Sequence, residues 1–338
     1  MAFDLGFTAD QTTIADLFNS FFSNESRPEV ARAAEPLGFD ADLWQKTLAL
    51  GVAGMAVPEA NGGGGASLSD AVIVAEAVGA AIAPVPVVEH MVAARTHPIA
   101  DLVEGAALGT VALTPAADGR WSFVPAGAIA DIVIGVDGSD IVAVRSTAPG
   151  VAPRNHACQP IAHRSSIDGE RTVIGDASSF ERVVAEWKTL TASALVGIAQ
   201  RSLDMGVQYV KERHQFGVPV GSFQAVQHGL ADIPGLIDGS RILAHKAAWA
   251  SQPDVAQTIE PEFNEYTDFS VVASMAFLFA GEAAVHATDR SLHFHGGYGF
   301  SEEYDIQMYY RRARGWRLIA GDPRNEYVAL ADKMFGDN

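Results

Sequence analysis

The sequence predicts an α+β fold in three consecutive parts: an N-terminal α-helical domain over residues 1–108, a small, shortened middle β-domain over 109–187 and a C-terminal four-helix-bundle domain over 188–338. Three observations carry the prediction. Apolar side chains recur at helical spacing in the first part. Short β-branched runs broken by Gly, Asp and Pro fill the second. Long stretches with few prolines and a helical period then return.

Taken in order, Ile14, Leu17, Phe18, Phe21 and Phe22 make one apolar stripe, with Thr8 as its cap and Gln11 three positions on. A turn follows at Val57-Pro58-Glu59-Ala60-Asn61 and four glycines. Those glycines do not read as a phosphate loop, because no Lys-Ser/Thr follows and no clear strand precedes. Ser67 or Ser69 caps an Ala-rich helix over 71–83 that Pro84 stops. The runs Thr110-Val111-Ala112-Leu113, Ile132-Val133-Ile134-Gly135-Val136 and Asp140-Ile141-Val142-Ala143-Val144 read as strands, as do Val173-Ile174 and Val183-Val184-Ala185. Residues 192–213 carry Leu195, Ile198, Ala199, Met205 and Tyr209 near one helical face, and 261–294 form another long helix with Pro261 in its first turn. No internal repeat or low-complexity segment is present.

The formal charge of −18 argues against nucleic acid and anionic membranes, both of which need clustered Lys and Arg. Apolar residues at 48% and charged residues at 19% are ordinary for a globular chain. Cys158 is the only cysteine, so no internal disulfide and no cysteine pair for zinc is available. Together with an N-terminus, Met1-Ala2-Phe3-Asp4-Leu5, that lacks a basic and apolar leader, this predicts a cytoplasmic protein. The most apolar window, 271–285, is too short to span a bilayer and contains Gly281 and Glu282.

Two blocks carry chemistry. In Lys211-Glu212-Arg213-His214-Gln215-Phe216-Gly217, Arg213 at a helix end offers a planar cationic fork for a pyrophosphate. Phe216 supplies a ring face, Gly217 a sharp turn, and Phe223-Gln224-Ala225-Val226-Gln227-His228 follows. In His293-Phe294-His295-Gly296-Gly297-Tyr298-Gly299-Phe300, the glycines let backbone approach a ligand closely. The plainer readings are an arginine meeting its own helix carbonyls and glycines that serve helix packing. His293 and His295 have no third ligand nearby, so no metal is expected.

These two blocks, and the order of the three parts, resemble the acyl-CoA dehydrogenase family. The resemblance implies that Arg213, Phe216, Gly217, Gln224, His293, Gly296 and Gly297 contact FAD shared across a subunit interface. His293 stands where many members have glutamine. It also implies a defect. The family's active-site arginine leads, nine positions on, to a glutamate and glycine; here Arg311 leads to Ala320 and Gly321. A methyl group cannot accept a proton. Some members carry the base at the start of the first C-terminal helix, but Trp187 stands there, with Glu186 one residue off. Asp322 is two residues displaced from the usual site. In the middle, Leu113-Thr114-Pro115 and Gly119-Arg120-Trp121 lack the family's flavin-covering pattern, and Trp121 reads as a sheet core residue.

The chain is thus similar to the shorter, non-catalytic subunit of heteromeric acyl-CoA dehydrogenases, several of which act on steroid side-chain CoA thioesters. The implied assembly is a heterotetramer in which a partner subunit supplies the base and binds most of the acyl-CoA, with a homo-oligomer when the chain is made alone. Two alternatives stay open: a self-sufficient enzyme using Glu186 or Asp322, and a flavin-free structural protein.

Overall fold

A computed structural model describes residues 6–252 and 268–336; residues 1–5 and Pro261, on which the readings of a leader and of a helix start rest, lie outside them. The first part holds α1 (Ala9–Glu25), α2 (Pro28–Ala33), α3 (Ala41–Leu48), α4 (Leu68–Ala80), α5 (Val87–Thr96) and α6 (Ala100–Val103). Thr8 and Gln11 form the expected reciprocal cap, the Gln11 N–H donating to Thr8 Oγ1 at 3.2 Å and the Thr8 N–H to Gln11 Oε1 at 3.1 Å. The α1 stripe is narrower than expected, with Phe18 and Phe22 buried but Leu17 47% exposed. Ser67 rather than Ser69 heads α4, its N–H and hydroxyl both donating to Asp70. The helix stops before Pro84 because Ile82 takes a φ of 42°.

The middle part is a small β module. Strands β1 (Gly109–Val111), β3 (Ile132–Asp137), β4 (Asp140–Arg145) and β6 (Glu170–Asp176) form one sheet in the order β1-β3-β4-β6; β2 (Arg120–Val124) and β5 (Ala162–Ser165) pair separately. Trp121 is fully buried among Ala112, Val124, Val133, Val142 and Val144, as expected. Its Nε1 donates to the Val136 carbonyl at 2.9 Å, and its ring lies on bare Gly135, where a β-carbon would come within 2.8 Å. Arg164, 4% exposed, donates to the carbonyls of Gly127, Ala130 and Ser146 and so ties the loops beneath the sheet.

One expectation fails here. Val183-Val184-Ala185 are not a strand, and the boundary at 187 falls inside α7 (Phe180–Glu212). Phe180, Ala185 and Trp187 are buried on a helical surface, and that packing overrides β-branched propensity. After α7 come the hairpin β7 (His214–Gln215) and β8 (Val218–Pro219), then α8 (Gln224–Ala231), α9 (Ile233–Ala250), α10 (Phe269–Phe294), α11 (Ile306–Trp316) and α12 (Pro323–Phe335). The apolar window 271–285 belongs to α10, which is long and apolar enough to cross a membrane, contrary to the window estimate. It is a core helix instead, packed on α7, α9 and α11.

Helix α7 organises the chain. A β-carbon on Gly79 of α4 would collide with the Ala194 carbonyl of α7, and one on Gly197 of α7 would collide with the Glu76 carbonyl of α4. The two backbones therefore touch, and Ser193 Oγ donates across the contact to the Val72 carbonyl at 2.6 Å. Against α10, Trp187 meets Phe277 and Tyr209 meets His295, so these helices run parallel. The three parts also meet at one charged knot. Glu35 accepts from Arg311 at 2.8 Å and from Arg312 at 3.0 Å, and Arg311 Nη1 lies 2.9 Å from Cys158 Sγ. Burial pushes the Glu35 carboxyl up, but the hydrogen bonds and charges of the two arginines outweigh it and hold it below the usual carboxylate range.

Two predictions follow from this packing. Gly197→Ala is expected to cost about 2–3 kcal/mol of stability in denaturant melts. Gly235→Ala, where a β-carbon meets nothing, is expected to be neutral or to gain up to about 1 kcal/mol. His90 is fully buried, with Nε2 3.0 Å from the Leu102 carbonyl and Nδ1 accepting from the Gly109 N–H at 3.2 Å; burial lowers its pKa to about 4. The unfolded chain binds that proton first, so its share of stability is present above about pH 6.5 and is lost as pH falls towards 4. The stability difference between wild type and His90→Asn should therefore shrink across that window, by up to about 1.4 kcal/mol per pH unit.

Candidate functional site

Helix α7 ends at Glu212, and Arg213 turns extended while its N–H still reaches the Tyr209 carbonyl at 2.8 Å. The hairpin that follows turns at Phe216 and Gly217, with φ of 54° and 81°. Two positive φ values suit a two-residue hairpin, but a bulky side chain at the first is strained by about 1 kcal/mol. The Phe216 ring is nonetheless 95% exposed, touched edge-on by Phe223 at 6.3 Å. A strained turn position therefore carries an aromatic face in solvent. Gln224 opens α8 beside it and is exposed.

The second block arrives at the same place because α10 runs parallel to α7. His293 sits exposed in the last turn of α10, and Gly296 and Gly297 lie exposed in the 3₁₀ turn Gly296–Phe300. A β-carbon on either glycine would meet nothing, so bare backbone faces outward there. Gly299 is different: its β-carbon would strike the Leu292 carbonyl, and this glycine serves packing. The blocks touch where the Arg213 guanidinium lies 5.6 Å from the Tyr298 ring centroid. Arg213 has no carboxylate partner among the described residues. His293 and His295 point apart, the second buried and stacked on Tyr209 at 4.1 Å. Among the described residues no group of three or more metal-ligating side chains occurs.

An uncommitted guanidinium, an exposed ring and open glycine backbone at one spot fit the pyrophosphate and adenine of a dinucleotide such as FAD. The sequence places Tyr298 and Phe223 within the two blocks and Tyr209 on a helical face but gives them no role, and it passes over Tyr304; ring contacts join these residues across the two blocks.

The other end of α7 is built differently. Ala320 is partly buried in the turn between α11 and α12. Its neighbour Ile319 lines a cavity of about 40 Å³ with Trp187, Trp316, Arg312, Gln159 and Glu89. That is room for a few waters rather than a drug-sized ligand, which takes roughly 300–1,000 Å³. Glu186 is not among the lining residues. Its carboxylate is 6% exposed and takes two hydrogen bonds from Arg95, at 2.8 and 3.1 Å. Asp322 caps α12 and is paired with Arg324 at 2.6 Å, whose hydrogen bonds hold its pKa down to about 2. The carboxyl that does face the cavity is Glu89, 8% exposed, with the Trp187 indole N–H beside it and a pKa raised by burial. Sequence reasoning passed over it; the available signal was one acid inside the apolar run Val87-Val88-Glu89-His90-Met91-Val92. Trp187 Nε1 and Gln159 Oε1 are buried without meeting hydrogen-bond geometry.

The two ends are far apart. Trp187 and Arg213 are separated by about 39 Å along the axis at a rise of about 1.5 Å per residue. A single extended dinucleotide does not cover that distance.

Comparison with known proteins agrees with the two helical parts. The acyl-CoA dehydrogenase N-terminal domain matches residues 8–102 and the acyl-CoA dehydrogenase C-terminal domain residues 181–325. Acyl-CoA dehydrogenase IpdE2 of Mycolicibacterium smegmatis is 34% identical over 318 residues, covering 91% of this chain and 93% of its own. A chain of the ChsE4-ChsE5 complex from Mycobacterium tuberculosis superposes with a TM-score of 0.83 at 24% identity, over 99% of this chain and 100% of that one. Butyryl-CoA dehydrogenase from Megasphaera elsdenii gives 0.81 at 22% identity, over 98% and 99%. With both terminal domains matched and a full-length relative at this identity, the chain belongs to the acyl-CoA dehydrogenase family.

Proposed function

We propose that this chain is the FAD-supporting, non-catalytic subunit of a heteromeric acyl-CoA dehydrogenase, a cytoplasmic heterotetramer whose partner supplies the base and binds most of the acyl-CoA. The observation that carries the reading is the separation along α7. The nucleotide clamp is intact at one end, while the other end has Ala320 in place of a base and a cavity narrowed by Trp187 and Trp316. A clamp so far from its own cavity serves a flavin seated in a neighbouring subunit.

FAD held by these residues would supply the hydride acceptor for the β-carbon of the acyl thioester. This chain's part is binding. Arg213 neutralises pyrophosphate charge, Phe216 offers a ring face, Gln224 and His293 offer hydrogen bonds, and Gly296 and Gly297 let backbone approach. The likeness to a chain of the ChsE4-ChsE5 complex supports a mixed assembly. The overall likeness to a variant of the Tcur3481-Tcur3483 steroid ACAD, with a TM-score of 0.80, supports a steroid side-chain CoA thioester as substrate.

One observation favours a second reading, a self-sufficient homo-oligomer: Glu89 is the buried acid among the residues that line the cavity. It predicts a yellow pure protein that bleaches with an acyl-CoA and stops doing so after Glu89→Gln. A colourless, inert preparation counts against it.

Co-expression with the product of a neighbouring dehydrogenase gene tests the first reading. The partner should retain FAD and oxidise acyl-CoA only when this chain is present, and Arg213→Ala should weaken FAD retention by about tenfold or more, the scale of one lost charge-assisted contact. Equal FAD content and turnover without this chain would sink it. Ala320→Glu in the chain alone should give no turnover with added FAD and acyl-CoA, because a carboxylate does not widen the cavity; measurable bleaching would contradict that.

A further inference from the structure

The clamp's cation is held in an unusual way. An arginine at a protein surface commonly meets a carboxylate, and this chain has many, with a formal charge of −18. Arg213 instead meets the face of Tyr298 at 5.6 Å. Behind that ring stands Tyr304, tilted against it at 5.6 Å. Tyr304 in turn meets His295 edge-on at 6.1 Å and Tyr209 at 6.2 Å. Tyr209 stacks on His295 at 4.1 Å, and its hydroxyl donates to the His295 carbonyl at 3.3 Å. Tyr209 lies one helical turn before Arg213. The rings thus run from α7, across the end of α10, back to the guanidinium.

We propose that Tyr298 is a positioning residue, whose ring face holds the Arg213 guanidinium so that its N–H donors stay free and directed at the phosphates of the bound dinucleotide. The proposal rests on the reading of the clamp given above. A carboxylate partner would occupy the guanidinium's in-plane donors and cancel its charge. An aromatic face attracts the cation through its quadrupole and leaves every donor unused. An exposed arginine otherwise samples many rotamers, and fixing it on binding lowers affinity. Tyr298 removes part of that loss in advance, and Tyr304 with the Tyr209–His295 stack fixes Tyr298.

The test is a double-mutant cycle on the full-length chain in its FAD-binding assembly, read by FAD fluorescence titration and by competition with inorganic pyrophosphate. Tyr298→Leu should weaken FAD and pyrophosphate alike by about three- to tenfold. Tyr298→Phe, which keeps the face, should stay within about twofold. In an Arg213→Ala background, Tyr298→Leu should add nothing. An equal loss in both backgrounds, or a loss for FAD but not pyrophosphate, means the ring stacks on the nucleotide itself and overturns the proposal. Failure of Tyr298→Phe to rescue also overturns it. If Arg213→Ala leaves FAD binding unchanged, the clamp reading fails, and the pairing is decided on the free chain. Ring-current-shifted Arg213 side-chain resonances that persist in Tyr298→Phe and vanish in Tyr298→Leu uphold it; unshifted resonances in wild type overturn it.

Discussion

The backbone contact between α4 and α7 is the constraint on which the rest depends. Gly79 and Gly197 each sit where any side chain would strike the facing helix's carbonyls. A glycine inside a helix costs about 1 kcal/mol relative to alanine. Its presence at both faces of one crossing shows that the close approach matters more than the helix's own stability. That approach fixes α7 against the N-terminal helices, and α10 follows α7 in parallel. Everything with chemical potential is then attached at one end or the other of the same 33-residue rod.

The two ends differ in physical character. The clamp end is polar, exposed and strained: a free guanidinium, a left-handed Phe216 and open glycines. The cavity end is tightly packed, and most of its carboxylates are paired. Glu186 is locked by Arg95, Asp322 by Arg324, and Glu35 joins Arg311 and Arg312 at the junction of the three parts. Ion pairs of this kind occupy the carboxylate oxygens, which leaves them unavailable as proton acceptors in a substrate pocket. Of the four acids at this end, Glu89 is the one in no ion pair, and it is deep, with its charged form penalised by burial.

Much of this was legible in the sequence, for reasons that vary with the element. Caps at Thr8 and Ser67 were readable because local hydrogen bonding leaves direct marks, and β1, β3 and β4 because β-branched runs bounded by turn residues do the same, whereas β2, which carries Trp121, was not read as a strand. Arg213, Phe216, Gly296 and Gly297 were singled out from two short blocks, and the fold brings those two blocks to one spot. Val183 and Val184 misled because β-branched propensity is weaker than the packing that draws Trp187 into the core. Glu186 could be doubted but not placed, since nothing local reveals Arg95 as a partner 91 residues away, whereas the partner of Asp322, Arg324, stands two residues on. Glu89 and the Tyr209–Tyr304 rings were invisible for the same reason: their meaning lies in what the tertiary fold brings beside them.

The length of α7 has an evolutionary consequence. Sites that share no contact respond to substitution independently. A duplicated gene could therefore lose one trade and keep the other by ordinary drift, provided its sister copy continued to perform the abandoned task.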